Sequence, residues 1–270
     1  MMRERDSVES RMIFRKTNAG RGRHVCVTPA NSTNKHLSYA RIILHNENVS
    51  FSNPGQETGL IVLSGSATVT AGGQKANLNR YDAIYIPRDA SIEVSGTADI
   101  AEFSADVTEY HSVQVVRYED VSSDGSLKFT AGSPTQQRVV NIVLGKNVAA
   151  NRLLVGFTVS DPGNWTSWPP HEHAKMLEEM YVYFDMPDPA FGIQLVYNDT
   201  HNPEVVTVVR DGDAVLMPSG YHPNVAVPGH RISFLWAMAA HREKEDRQFG
   251  VVNVQPGFGA TGTGLEASRK

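Results

Sequence analysis

YDAIYIPRDA (residues 81–90) and GDAVLMPSGY (residues 212–221) are two versions of one unit: an Asp-centred turn, an apolar strand-like run, and a proline that ends it. Proline cannot donate to a β-ladder, so it closes the strand and delivers the chain to a sheet rim. The surroundings repeat as well. GLIVLSGSATVTA (59–71) and a Gly-Gly turn at 72–73 precede the first copy. MYVYFDM (180–186), FGIQLVYND (191–199) and VVTVV (205–209) precede the second. These runs are rich in Val, Ile, Thr and aromatic residues, and turn residues interrupt them at intervals of roughly 8–12 positions, the spacing of a β-sandwich or barrel. Sustained 3.6-residue periodicity with helix caps is absent; 187–190 and 242–247 are weak candidates for short helices. A duplicated β unit predicts an all-β chain of two tandem antiparallel barrels.

The length of 270 residues suits two domains. The expected division is a polar, mobile stretch at 1–11, a first domain over 12–125, a second over 126–255, and a tail at 256–270. The boundary falls near the polar segment VSSDGSLKFTAGSPTQQR (121–138). Composition is that of a globular protein, with 40% hydrophobic residues and a net charge of -4. Lysines and arginines do not cluster, which argues against a nucleic-acid partner. HREKED (241–246) alternates in sign and reads as a solvated surface. No apolar run approaches the roughly 20 residues that span a bilayer. The single cysteine, Cys26, excludes an internal disulfide, and the charged start lacks the apolar core of a signal peptide; both point to the cytoplasm. Exposed edges on two β domains predict a homo-oligomer.

WPPHEHAKMLEEMYVYF (168–184) carries the chemistry. His171 and His173 are two apart, so on a strand both imidazoles face the same side. Glu178 and Glu179 follow, and His222 stands just beyond Pro218, where the repeated strand ends. Three imidazoles and a carboxylate suit one divalent ion, zinc foremost, with manganese, iron or nickel as the other choices. Four protein ligands leave coordination positions open, as catalysis requires. Either glutamate could be the ligand. Glu179 is in phase with Tyr181 and Tyr183, the more polar face, while Glu178 is in phase with Met180, Val182 and Phe184; this favours Glu179, and a local bulge would reverse the choice. Scattered surface histidines are the bland alternative, and it suffices for His24, His36, His45, His111, His201, His230 and His241. The first half has IPRDA where the second has MPSGYHP and contains no HxH, so its role is structural.

PPHEH, EEMYVYF, FGIQLVYND, VRDGDAVLMPSGYHPNVAVPGH and FLWAMAA, in that order, resemble the 5-deoxy-glucuronate isomerases of myo-inositol catabolism. The related 5-keto-4-deoxyuronate isomerases share the cupin superfamily. The resemblance extends more faintly through SYARIILHNENVSF, YDAIYIPRDASIEV and QRVVNIVLG. It implies a bicupin with jelly-roll domains, metal ligands at His171, His173, Glu179 and His222, and isomerisation of a uronate-type sugar, 5-deoxy-glucuronate, to 5-dehydro-2-deoxy-gluconate. Tyr181, Tyr183 and Gln194 are candidates to contact substrate oxygens; packing or support of the ligands is the equal alternative. An anionic substrate calls for a basic residue. Arg138 and Arg152 lie near the start of the second barrel, but nothing in the sequence places either in its pocket. A cupin dioxygenase, a non-catalytic sugar-binding cupin and the sister isomerase are the competing readings.

Overall fold

The computed structural model describes residues 10–258. The expected mobile start and the tail therefore lie largely outside the described residues. The chain is a bicupin: two antiparallel β domains packed sheet against sheet. In the first half, β1 (Ile13–Phe14), β2 (Gly22–Val27), β3 (Ser38–Ser52), β4 (Gln56–Ala71), β5 (Gln74–Asn79), β6 (Ala83–Ile86), β7 (Ser91–Asp106) and β8 (Gln114–Val116) precede helix α1 (Tyr118–Ser123). The second half holds β9 (Lys128–Ala131), β10 (Arg138–Leu144), β11 (Leu153–Ser160), β12 (Trp165–Thr166), β13 (His171–Glu172) and β14 (Leu177–Tyr183). It continues with β15 (Gly192–Val196), β16 (Val205–Val209), β17 (Ala214–Met217), β18 (Asn224–Ala226), β19 (Ser233–Ala240), helix α2 (Glu243–Asp246) and β20 (Asn253–Val254).

The first domain is one sheet in the order β2-β3-β7-β4-β6-β8, with β5 folded back on β4. The second has a main sheet, β1-β17-β14-β19-β11-β10-β9, and a smaller one, β12-β18-β15-β16. Strand β1 is the sequence's first strand, yet it pairs with β17 of the second domain, Ile13 opposite Val215 and Phe14 opposite Ala214. Two apolar residues are too few to show a period, so only the tertiary partner reveals this strand. The polar stretch 121–138 holds the end of α1 and all of β9, which adds an outer strand to the second domain's main sheet. The candidate helix at 242–247 appears as α2, whereas 187–190 is a turn, held by the Ala190 N–H donating to the Pro187 carbonyl at 3.0 Å. Prolines at 187 and 189 remove the donors a helix would need.

The central strands are buried on both faces, and alternation sends their side chains to two different cores. On β4, Leu60 and Val62 join the interior of the first domain, while Ile61 and Leu63 join the larger core shared with the second. On β14, Met180 and Val182 point to that shared core, as does Phe184 just beyond the strand. Phe184 meets Phe157 edge to face at 6.0 Å, and Phe157 stacks on Tyr81 of the first domain at 4.5 Å.

A reciprocal pair of buried carboxylates joins the domains. Glu178 of β14 accepts the backbone N–H groups of Lys35, His36 and Leu37 at 2.7, 2.8 and 2.6 Å, just before β3. Glu57 of β4 accepts those of Asn151, Arg152 and Leu153 at 2.9, 2.6 and 2.8 Å, at the start of β11. The duplication explains the symmetry. Thr58 lies opposite Ile86 and Glu179 opposite Met217, and each partner directly precedes a proline. Glu57 and Glu178 are therefore equivalent positions, and Thr58 occupies the place of Glu179.

Candidate metal centre

The second barrel's interior collects its polar groups from three places. Glu179 lies mid-sheet on β14, facing Met217 of β17 on one side and Met238 of β19 on the other. His171 sits on β13, and His173 begins a tight turn in which its carbonyl accepts the N–H groups of Met176 and Leu177, both at 2.9 Å. His222 stands on the loop after β17. Gly220 makes that loop possible: its φ is +92°, and a Cβ there would lie 2.9 Å from the Tyr197 carbonyl oxygen.

His173, Glu179 and His222 are buried and present ligand atoms within 4.8 Å of one another. Nε2 of His173 is 2.9 Å from Glu179 Oε2, and Nε2 of His222 is 3.1 Å from the same oxygen. The His171 ring centre lies 5.0 Å from that of His222 and 6.3 Å from that of His173. Glu178 points to the other domain and takes no part in this group.

The hydrogen bonds behind the rings fix what the rings present. Nδ1 of His171, His173 and His222 lies 2.8, 3.2 and 2.9 Å from the carbonyls of Pro169, Leu177 and Gly220. A carbonyl only accepts, so each Nδ1 carries its hydrogen, and in the neutral ring each Nε2 offers a lone pair. In that neutral form lone pairs would converge on a carboxylate oxygen, an arrangement that needs a cation between them, either a proton on His173 Nε2 or a metal ion. Nε2 of His222 is buried with no hydrogen-bond partner, since its 3.1 Å approach to Glu179 is misdirected. An orphaned donor atom of this kind, with backbone carbonyls orienting each ring, is what a divalent ion would satisfy. His173, Glu179 and His222 thus fit a metal on donor chemistry and tautomer, while His171 lies beside them with the same tautomer but outside the group whose ligand atoms fall within 4.8 Å.

Electrostatics agree. Burial alone would raise the Glu179 carboxyl, but the imidazoles of His173 and His222 facing it outweigh burial and hold it down at about 2. Burial opposes protonation of His173, yet the Glu179 carboxylate prevails and lifts it. His171 is pushed down to about 3, first by burial and then by the neighbouring His222.

Beside the four residues is a cavity of about 50 Å³, lined among others by His171, Glu179, Tyr181, Arg138, Trp236 and Phe249. Tyr181 opens onto this space, and its hydroxyl lies 2.6 Å from Ser167 Oγ. Tyr183 and Gln194 sit behind His222. The Tyr183 hydroxyl donates to Gln194 Oε1, and Gln194 Nε2 donates to the carbonyls of Leu195 and His222 at 2.7 and 3.0 Å. Their polar groups are spent on holding the His222 loop. The sequence left Arg138 and Arg152 unplaced; Arg138 lines the cavity, while Arg152 binds the carbonyls of Asp106, Ala240 and His241 at the domain junction. Ser167, Trp236 and Phe249 carry no sequence signal, because their approach depends on loop and strand closure. Over the rim, β20 pairs with β13, His171 opposite Val254, and Phe249 stacks on Trp236 at 4.9 Å.

The first domain has filled the matching space with its own charges. Arg23 holds Glu102 through Nε and Nη2 at 2.6 and 2.7 Å. Asn53 bridges Glu102 and Thr58, both at 2.9 Å. A guanidinium, rather than a coordinated ion, neutralises that interior.

The sequence pattern of the KduI/IolB family matches residues 12–252. The chain belongs to this family. Among curated members, it is 32% identical over 201 residues to the 5-deoxy-glucuronate isomerase of Geobacillus thermodenitrificans, covering 68% of this chain and 72% of that one. It is 29% identical over 209 residues to the Bacillus subtilis enzyme of the same name, covering 70% and 75%. This KduI/IolB protein is thus an enzyme of the isomerase class. Its fold matches an IolB-like protein of Salmonella typhimurium with a TM-score of 0.80 at 21% identity, over 92% of this chain and 97% of that one. It matches Bacillus subtilis oxalate decarboxylase, a cupin with Mn(II) centres, at 0.59 and 13% identity, over 84% and 77%. None of its described helices is long and apolar enough to cross a membrane.

Proposed function

We propose that the protein is a metal-dependent aldose–ketose isomerase that converts 5-deoxy-glucuronate to 5-dehydro-2-deoxy-gluconate in the cytoplasmic breakdown of myo-inositol. The observation that carries the reading is the convergence of imidazole lone pairs on the buried Glu179 carboxylate, in a chain whose named relatives are 5-deoxy-glucuronate isomerases. His171, His173, Glu179 and His222 are the ligands of this proposal, and zinc is the first choice of ion, ahead of manganese, iron or nickel.

An aldose–ketose interconversion moves hydrogen between neighbouring carbons while negative charge passes between their oxygens. A divalent ion in this site would supply Lewis-acid stabilisation of that charge. The protein's own groups do the rest. Burial holds the Tyr181 phenol well above its usual range, so at neutral pH it stays protonated and serves as a donor to a substrate oxygen rather than as a base. Ser167 steadies that hydroxyl. Tyr183 and Gln194 act through His222, fixing the loop that aims its Nε2. Trp236, Phe234, Met238 and Phe249 line the cavity with apolar surface, which keeps water from competing for the charged groups. Strand β16, with Val206 and Val208 exposed at the sheet edge, is the surface we assign to homo-oligomer formation.

Metal analysis of the purified protein, followed by anaerobic incubation with 5-deoxy-glucuronate monitored by NMR, tests the reading. Stoichiometric metal and turnover without oxygen are expected. Turnover that requires oxygen would establish a dioxygenase, and binding without turnover a sugar-binding cupin. Faster reaction with the 5-keto-4-deoxyuronate substrate would assign the sister activity.

A further inference from the structure

Arg138 is the first residue of β10, on the main sheet that also carries Glu179. Arg138 and Val140 share a strand face, and both line the metal-site cavity with Glu179 and Tyr181. Arg138 is only 4% exposed, yet no carboxylate of the described residues pairs with it; every ion pair formed by the other arginines lies elsewhere. Of the five N–H donors on a guanidinium, one on Nη1 goes to the Gln136 carbonyl at 3.0 Å and one on Nη2 to the Trp168 carbonyl at 2.8 Å. The remaining three have no acceptor among the described residues. Burial pulls this guanidinium down to about 10, only partly offset by the nearby Tyr181 phenol.

Burying a charge without a counter-ion is costly, and proteins keep such groups where a ligand supplies the opposite charge. The other ionised group in this cavity, Glu179, is already engaged by His173 and His222. A guanidinium with free donors, beside a site that handles sugar oxygens, has the geometry to take a carboxylate through paired hydrogen bonds.

We propose that Arg138 is the anchor for the substrate's carboxylate and sets the enzyme's preference for sugar acids over neutral sugars. This rests on the isomerase reading above but adds a residue and a ligand group to it. The two bonds to Gln136 and Trp168 hold the fork in place, and the second ties it to the loop that carries His171. Carboxylate and reacting carbons are thereby registered by one piece of structure.

The test is equilibrium binding of 5-deoxy-glucuronate and of its neutral counterpart, 5-deoxy-glucose, measured by calorimetry on the wild type and on Arg138→Gln, each with and without added zinc. The wild type should prefer the acid. In Arg138→Gln that preference should fall roughly 10- to 100-fold, the scale of one charge-assisted hydrogen-bonded pair, with neutral-sugar binding and metal content little changed. An unchanged acid-to-neutral ratio, or equal weakening of both sugars, would overturn the proposal, the latter showing that Arg138 merely braces the 168 loop. So would a wild type that binds both sugars alike. If Arg138→Gln does not fold, Arg138→Lys keeps the charge without the fork and is read on the same ratio, which should drop part of the way. Arg138-dependent acid preference in a protein that fails to isomerise would refute the isomerase reading and leave this inference standing.

Discussion

Replacing Glu178 or Glu179 by glutamine separates two adjacent buried carboxylates with opposite jobs. Glu178 is 1% exposed and accepts three backbone N–H groups from the other domain at 2.6–2.8 Å. In Glu178→Gln, one oxygen can still serve His36 and Leu37, now without charge assistance. Hydrogen bonds to a charged acceptor contribute about 1.5–3 kcal/mol and neutral ones about 1, so these two lose roughly 1–4 kcal/mol together. The new amide NH2 faces the Lys35 N–H, donor against donor. That adds about 1–2 kcal/mol, at the low end because Lys35 is exposed and water can turn to it. The sum, roughly 2–6 kcal/mol, should lower the melting temperature by about 5–25 °C in a chain of this size. Metal content after purification should match the wild type. Glu179→Gln should do the reverse, losing bound metal while melting close to the metal-free wild type. Scanning calorimetry and elemental analysis on the same preparations decide it. The reasoning fails if Glu178→Gln melts within a degree of wild type, or if it, rather than Glu179→Gln, loses the metal.

Other perturbations follow from the same contacts. In His222→Ala the orphaned Nε2 is gone, so added zinc should no longer raise the melting temperature; the wild type should gain about 2.7 kcal/mol at a hundredfold excess over Kd, and far-UV circular dichroism should show the variant folded. Tyr183→Phe removes the donor to Gln194 behind the His222 loop, and metal affinity measured by chelator competition should fall about 10- to 100-fold with a stability loss near 1 kcal/mol. Arg23→Ala leaves Glu102 buried with only Asn53 as partner. It should cost about 3 kcal/mol in urea unfolding while leaving metal content and turnover unchanged, because that ion pair belongs to the domain without the metal residues.

The duplicated strand-to-proline unit and its Val/Ile-rich surroundings made the all-β, two-barrel architecture legible from sequence, since strand propensity, turn residues and proline act locally. The candidate metal site was legible as a set of residue types: His171, His173, Glu179 and His222 were expected together, and the structure brings the donor atoms of the last three together, with the His171 ring beside them. Local rules could not reach contacts that close over long stretches of chain. The two residues of β1 carry no period, and their partner lies 200 residues away in β17. The roles of Glu178 and Glu57 were hidden because their acceptor function is set by backbone amides of the opposite domain. Arg138 was named without a place, since a guanidinium at the start of a strand can turn to solvent as readily as inward. Packing of β10 against β11 within the main sheet turned it into the cavity. Sequence alone thus determined the chemistry available and the alternation of faces, because both are properties of neighbouring residues. Tertiary structure decided which buried charge meets a ligand, which meets the backbone and which meets another side chain, because that depends on what the distant chain brings opposite each one.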